Sequence, residues 1–142
     1  MLAAFESLCK KDLFMPLVRI DIGPGHPAGF GRAVGEIVYR AMTTEINVPA
    51  DDKFQIITAH EASALNIPGS YLGIEYSEGI VFIQVTLNAG RTTELKKKFY
   101  KRIADDLHAE LGVRLQDVFI NLVEVDKENW SFGNGEMQYG PK

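Results

Sequence analysis

Hydrophobic and polar residues along this chain change period in a fixed order, and the order occurs twice. "PLVRIDI" (16–22) alternates, with Val18, Ile20 and Ile22 on one face, which predicts a strand. From about residue 30 to 46 the period lengthens. Phe30, Val34, Ile37, Val38, Met42 and Ile46 recur at helical spacing. "KFQIITA" (53–59) reads as a second strand, and "GIVFIQVTL" (79–87) as a third, apolar enough on both sides for the middle of a sheet. Leu95, Phe99, Ile103, Leu107 and Leu111 mark a second helix, and "DVFINLVEV" (117–125) a fourth strand.

The two halves superimpose without a gap at an offset of 65 residues. Ile22 then matches Leu87, Gly25 matches Gly90, Val38 matches Ile103, Val48 matches Val113, Asp52 matches Asp117 and Phe54 matches Phe119. Asn47 matches Gly112, the two residue types that best tolerate the left-handed conformation closing a helix. The expected fold is therefore α/β: two tandem βαβ units forming one four-stranded mixed sheet, with two helices on one face. Strands within a unit are parallel, and a local two-fold axis makes the units antiparallel to each other. Repeat one covers 16–60, repeat two 80–125, and a C-terminal tail 126–142. Residues 16–142 make a single domain, and 1–15 an N-terminal extension. Three places meet at one end of such a sheet: Pro16, Asp52 and the loop "NAGRTT" (88–93). The uncovered sheet face calls for self-association.

Composition narrows the functional classes. The 142 residues carry a net charge of −4, which argues against nucleic acid as the main partner, because phosphate binding needs a basic surface. A βαββαβ RNA-binding module is disfavoured further by the lack of an exposed aromatic motif. The lone cysteine, Cys9, excludes an internal disulfide and fits a reducing, cytoplasmic setting. No apolar run approaches a membrane span. Glu6, Lys10, Lys11 and Asp12 break up what would otherwise resemble a secretory leader.

Most short motifs dissolve on inspection. "HEASA" (60–64) lacks the second histidine of a zinc-protease helix, and His26, His60 and His108 show no metal-ligand spacing. "GFGRAVG" (29–35) lies inside a predicted helix with its third glycine one place late for a dinucleotide fingerprint. Gly29, Gly31 and Gly35 weaken that helix without a functional account. Lys96, Lys97, Lys98, Lys101 and Arg102 read as a solvated helix face, and "NWS" (129–131) as a glycosylation sequon without a secretory context.

What remains is "MP" at 15–16, "DDKFQ" (51–55), "YLGIEYSEGIVFIQVTLNAGRT" (71–92) and "DVFINLVEVDKENWSFGNG" (117–135). A βαβ tandem with these segments resembles the tautomerase superfamily, in the long-chain branch that contains malonate semialdehyde decarboxylase. The resemblance runs from Met15 to about Tyr139. It implies a homotrimer without metal or organic cofactor, acting on a small carboxylic acid through an N-terminal proline. By that resemblance Pro16 is the catalytic amine, freed by removal of Met15. Asp52 helps activate water or orient substrate, Arg91 binds the substrate carboxylate, and Trp130 and Phe132 form an apolar wall. The family's second arginine aligns with Ala89, which favours keto–enol tautomerisation over decarboxylation or hydration.

Each residue also has a plainer reading. Pro16 joined to Met15 is an amide without a basic lone pair, a strand-start proline. The chain would then be a catalytically silent trimeric binding protein, with Leu2, Phe5, Leu8 and Leu13 along one side of a short helix over the site. Translation from Met15 removes that obstacle. Asp52 has a counterpart in Asp117, so an aspartate there suits a turn into a strand. Arg91 has His26 as its counterpart, so the fold does not demand arginine. Trp130 and Phe132 also suit a core or an oligomer contact.

Overall fold

The computed structural model describes residues 16–140, so the expected helix in the extension lies outside the described residues. Among the described residues, six strands and two α-helices run in the order β1 (Leu17–Ile22), α1 (Phe30–Glu45), β2 (Phe54–Ala59), β3 (Ser70–Tyr71), β4 (Ile74–Glu75), β5 (Val81–Asn88), α2 (Thr93–Leu111) and β6 (Val118–Val125). The main sheet has the order β2-β1-β5-β6. β1 and β2 are parallel, as are β5 and β6, while β1 and β5 are antiparallel. This is the two-fold arrangement of tandem βαβ units that the repeat implies.

Alternation along the strands decides which face is buried. Val18, Ile20 and Ile22 of β1 lie beside Val85, Ile83 and Val81 of β5, and all six are buried. Against them pack Val34, Ile37 and Val38 of α1 and Phe99, Ile103 and Leu107 of α2. Each such side chain, fully withdrawn from water, contributes about 1.5–3 kcal/mol of transfer free energy. Both helices end where the repeat places their stops, with Asn47 at φ 58° and Gly112 at φ 69°. α2 starts on Thr92, whose side chain accepts a hydrogen bond from the Leu95 amide at 3.3 Å.

Three expectations need correction. β5 is not apolar on both sides: its outward residues are Phe82, Gln84 and Thr86. The exposed apolar area of the outer face comes instead from the two edge strands, through Phe54, Ile56, Phe119 and Val123. Arg102 and Lys96 do not belong to a simple solvated helix face. Arg102 bonds Asp106 at 2.7 Å and reaches Glu45 on α1 at 3.5 Å, Arg40 of α1 also bonds Asp106 at 3.3 Å, and Lys96 pairs with Glu124. The glycines of α1 do have a structural reason. A Cβ on Gly31 would come within 2.6 Å of Ile57 Cγ2 on β2. At Gly35 the carbonyl oxygen accepts Gln55 Nε2 of β2 at 2.8 Å. Both glycines let the helix lie close to the edge strand.

The linker between the units adds a feature that periodicity does not reveal. Residues 70–75 form a small hairpin, β3-β4, turned by Leu72 (φ 51°) and Gly73 (φ 78°).

Candidate active site

The strand register gathers the candidate residues at one end of the sheet. Leu17 lies between Phe54 of β2 and Thr86 of β5. Pro16, one residue earlier and buried, therefore stands between Lys53 and Leu87. On one side Asp52 precedes Lys53 in a tight turn closed by its own amide, which donates to Pro49 O at 3.1 Å. On the other side β5 ends in Asn88 and the loop that carries Arg91.

Arg91 folds back onto the strand end, and its Nη1 donates to Asn88 O at 3.0 Å. Burial pushes the guanidinium pKa down to about 10, partly opposed by the charge of Glu124. A half-buried cation of this kind is held by the protein at a desolvation cost, and a carboxylate ligand offsets that cost.

The tail closes over the same strand end. Trp130 Nε1 donates to Asn88 Oδ1 at 2.7 Å. Its ring stacks on Phe132 with centroids 5.4 Å apart, and Phe132 meets Tyr139 edge-on at 5.3 Å. A cavity of about 460 Å³ opens beside them, lined by Asn88, Ala89, Val125, Lys127 and Tyr139 among others. Ala89, a small side chain, leaves this cavity open at the strand end.

Pro16, Asp52, Arg91, Trp130 and Phe132 accordingly share one end of the sheet, with Pro16 at the head of β1 between Asp52 on the β2 side and Arg91, Trp130 and Phe132 on the β5 side. Sequence reasoning missed Asn88, Glu124 and Tyr139. Asn88 reads in the sequence as an ordinary loop residue. Its burial becomes visible only when β5 is found to continue through it, paired with Val125 of β6.

The opposite end of the sheet carries the repeat's counterparts of these residues. Asp117, the counterpart of Asp52, is buried and accepts the Ser77 amide at 2.8 Å, the Ser77 hydroxyl and Arg114. Val81 occupies the place of Pro16. The three histidines are engaged separately: His26 stacks on Phe30 at 3.9 Å, His60 Nε2 pairs with Asp21 at 2.5 Å, and His108 Nδ1 lies 2.9 Å from Val113 O. Among the described residues no group of three or more His, Cys, Asp or Glu side chains is placed to hold a metal ion. None of their helices is long and apolar enough to cross a membrane.

This fold and strand-end arrangement define a class. The family described as tautomerase enzyme matches residues 52–133, and the chain belongs to it. It is 42% identical over 124 residues to the probable tautomerase YusQ of Bacillus subtilis (strain 168), covering 87% of this chain and 98% of that protein. It is 31% identical to the probable tautomerase YrdN of the same organism, over 88% of this chain and 96% of that one. Among solved structures, it is similar to a malonate semialdehyde decarboxylase inhibited by 3-bromopropiolate, with 38% identity, a TM-score of 0.78 and coverage of 87% and 93%. A symmetric trimer of a fused 4-OT is similar at 25% identity, with a TM-score of 0.70 and coverage of 84% and 94%. Family and neighbours together support tautomerase-type or related decarboxylase or hydratase chemistry.

Proposed function

We propose that this protein is a cofactor-independent tautomerase of a small 2-oxo or enol carboxylic acid, with Pro16 as its N-terminal general base. The observation that carries the reading is the placement of a buried proline at the head of β1, flanked by Asp52 and by the Asn88–Arg91 loop. A free α-amine titrates at about 7.7–8.0 in water. Burial against Leu87 disfavours its charged form and lowers that value, toward the range where a base transfers protons best at neutral pH.

In the proposed cycle the carboxylate of the enol pairs with Arg91. The neutral amine of Pro16 takes the enol hydroxyl proton as the carbonyl forms, and the resulting ammonium delivers a proton to the neighbouring carbon. Asp52 orients the oxygen, and Trp130 and Phe132 exclude water. Ala89 in place of a second cation supports tautomerisation over decarboxylation. The working domain is 16–142. Residues 1–15 are an extension that must be absent or removed for the amine to exist; it carries the single cysteine, Cys9, so the working domain has no thiol, and the proposed setting is cytoplasmic.

The assembly proposed is a homotrimer, as in the fused 4-OT. Two observations support it. Phe54, Ile56, Phe119 and Val123 leave apolar area on the outer sheet face, and β2 and β6 present open sheet edges.

The test has two stages. Intact mass of the protein from its native source should show a species beginning at Pro16. That species should exchange the C3 protons of 2-oxobutanoate in D2O, and Pro16→Ala should lose at least about 100-fold of that rate, in keeping with general-base catalysis. Undiminished exchange in Pro16→Ala would refute the role. A chain found only with residues 1–15 attached, and inactive, would favour a trimeric binding protein.

A further inference from the structure

Asn88 is a buried side chain whose chemistry the fold does not require. It is 2% exposed at the last position of β5. Its counterpart in the first unit is Gly23, so a strand end in this repeat is built without an amide side chain. Asp117, the other deeply buried polar residue among the described ones, is engaged by the linker and by Arg114, which is a structural use. Asn88 is engaged differently. Its Oδ1 accepts the indole of Trp130 at 2.7 Å, and its main-chain oxygen accepts the guanidinium of Arg91 at 3.0 Å. The residue itself is fixed by the sheet, through pairing with Val125 and the Ala89 amide bond to Val125 O at 3.0 Å. Leu87, directly before it, lies beside Pro16.

We propose that Asn88 is the positioning residue of this site, setting Trp130 and Arg91 at fixed places relative to the head of β1. This rests on the tautomerase reading above. Its side-chain oxygen orients the indole that forms the apolar wall, and its carbonyl orients the cation that receives the carboxylate. A buried indole N–H held by one acceptor keeps one ring orientation. Without that acceptor the ring turns or admits water, and both raise the amine pKa away from neutrality. Positioning errors on the ångström scale cost about 100-fold in rate.

Trp130 is the single tryptophan of the chain, so its emission reports this bond directly. The experiment compares Asn88→Ala, Asn88→Asp, Trp130→Phe and the double variant Asn88→Ala/Trp130→Phe, all as processed chains beginning at Pro16. The readouts are tryptophan emission and 2-oxobutanoate exchange over pH 5–9. Asn88→Ala should shift Trp130 emission, lower kcat about 10- to 100-fold and raise the acidic limb of the pH profile. The double variant should be no slower than the slower single one. Asn88→Asp keeps an acceptor for the indole, so it should keep wild-type emission. Its added negative charge, on the residue whose main-chain oxygen holds Arg91, lowers the positive potential at that guanidinium and should raise KM about tenfold while kcat changes less. That variant also carries the test should Asn88→Ala fail to fold. A folded Asn88→Ala with wild-type emission, kcat and pH profile would overturn the inference, as would losses that multiply in the double variant. So would an Asn88→Asp variant that loses kcat at unchanged KM. The wild-type rate and its loss in Pro16→Ala test the reaction separately. Should the wild type not turn over, quenching of Trp130 by 2-oxobutanoate still reads the Asn88 link, and equal affinity in wild type and Asn88→Asp would refute it.

Discussion

Replacing Gly31 by alanine opposes helix propensity to packing, and the structure decides the winner. Gly31 lies in the first turn of α1 with the β2 edge strand against it. Propensity alone favours alanine by up to about 1 kcal/mol. The new Cβ, however, would sit 2.6 Å from Ile57 Cγ2 and 3.5 Å from Ile22 Cδ1. Carbon atoms in contact rest about 3.5–4.0 Å apart, so roughly 1 Å of approach must be undone. Cγ2 is bonded directly to the branched Cβ of Ile57, and such side chains are stiff at χ1, so strand and helix must separate. Overpacking of this kind costs about 1–3 kcal/mol. The expected net loss is about 1 kcal/mol, a urea midpoint lower by about 0.5 M at ordinary denaturant sensitivity. Gly35→Ala is the control. Its Cβ meets Oε1 of Gln55, the far end of a flexible side chain. Losing the Gln55 to Gly35 hydrogen bond costs about 1 kcal/mol, which propensity offsets, so that midpoint should hardly move. In an Ile57→Ala background the Gly31→Ala loss should vanish, because without Ile57 Cγ2 the added methyl has room. A Gly31→Ala midpoint at or above wild type, or equal effects at the two glycines, would refute the packing argument.

Two further outcomes follow from buried and paired carboxylates. Asp117→Ala leaves the Ser77 amide and hydroxyl without their acceptor at a buried position, and thermal unfolding should show a loss of about 1–3 kcal/mol; an unchanged melting temperature would contradict that role. Burial alone would raise the Asp106 carboxyl, but hydrogen bonds and charge from Arg102 and Arg40 hold it below the usual carboxylate range. Its contribution is therefore present above the unfolded value of about 3.9 and is lost as pH falls through the lower folded value. Asp106→Asn should melt below wild type at pH 7, and the gap should close below about pH 4. A gap that is constant with pH would show that Asp106 acts through shape rather than charge.

The fold was legible because two independent signals agreed. Alternation identified β1, four-residue spacing identified α2, and the offset between Asn47 and Gly112 fixed where both helices stop. The strand heads of Pro16 and Asp52 then had to lie together. The β3-β4 hairpin was not legible, because two-residue strands carry no period. The α1 glycines were equally opaque, since their reason lies on Ile57 and Gln55, more than a full turn of chain away. Asp117 appeared in the sequence only as a partner for Asp52, and its bonds to Ser77 and Arg114 lie on the linker and the turn before β6, where no period points. Asn88 escaped notice for a related reason. An asparagine after "VTL" and before "AGR" looks like loop chemistry, and only the pairing with Val125 reveals it as the end of a strand.

The two-fold built into the sheet has a stoichiometric consequence. A chain possesses one terminal amine, whereas a duplicated βαβ unit possesses two strand heads. Val81 begins its strand in mid-chain and is acylated by Ile80, so its end of the sheet has no use for a base. On the proposed reading, duplication therefore leaves one strand head free of chemical duty, and there the matching aspartate clamps the linker through Ser77. A single polypeptide can thus evolve the two ends of its sheet independently, one under the demands of reactivity and the other under those of stability. Two identical copies of a single unit, read from one coding sequence, could not.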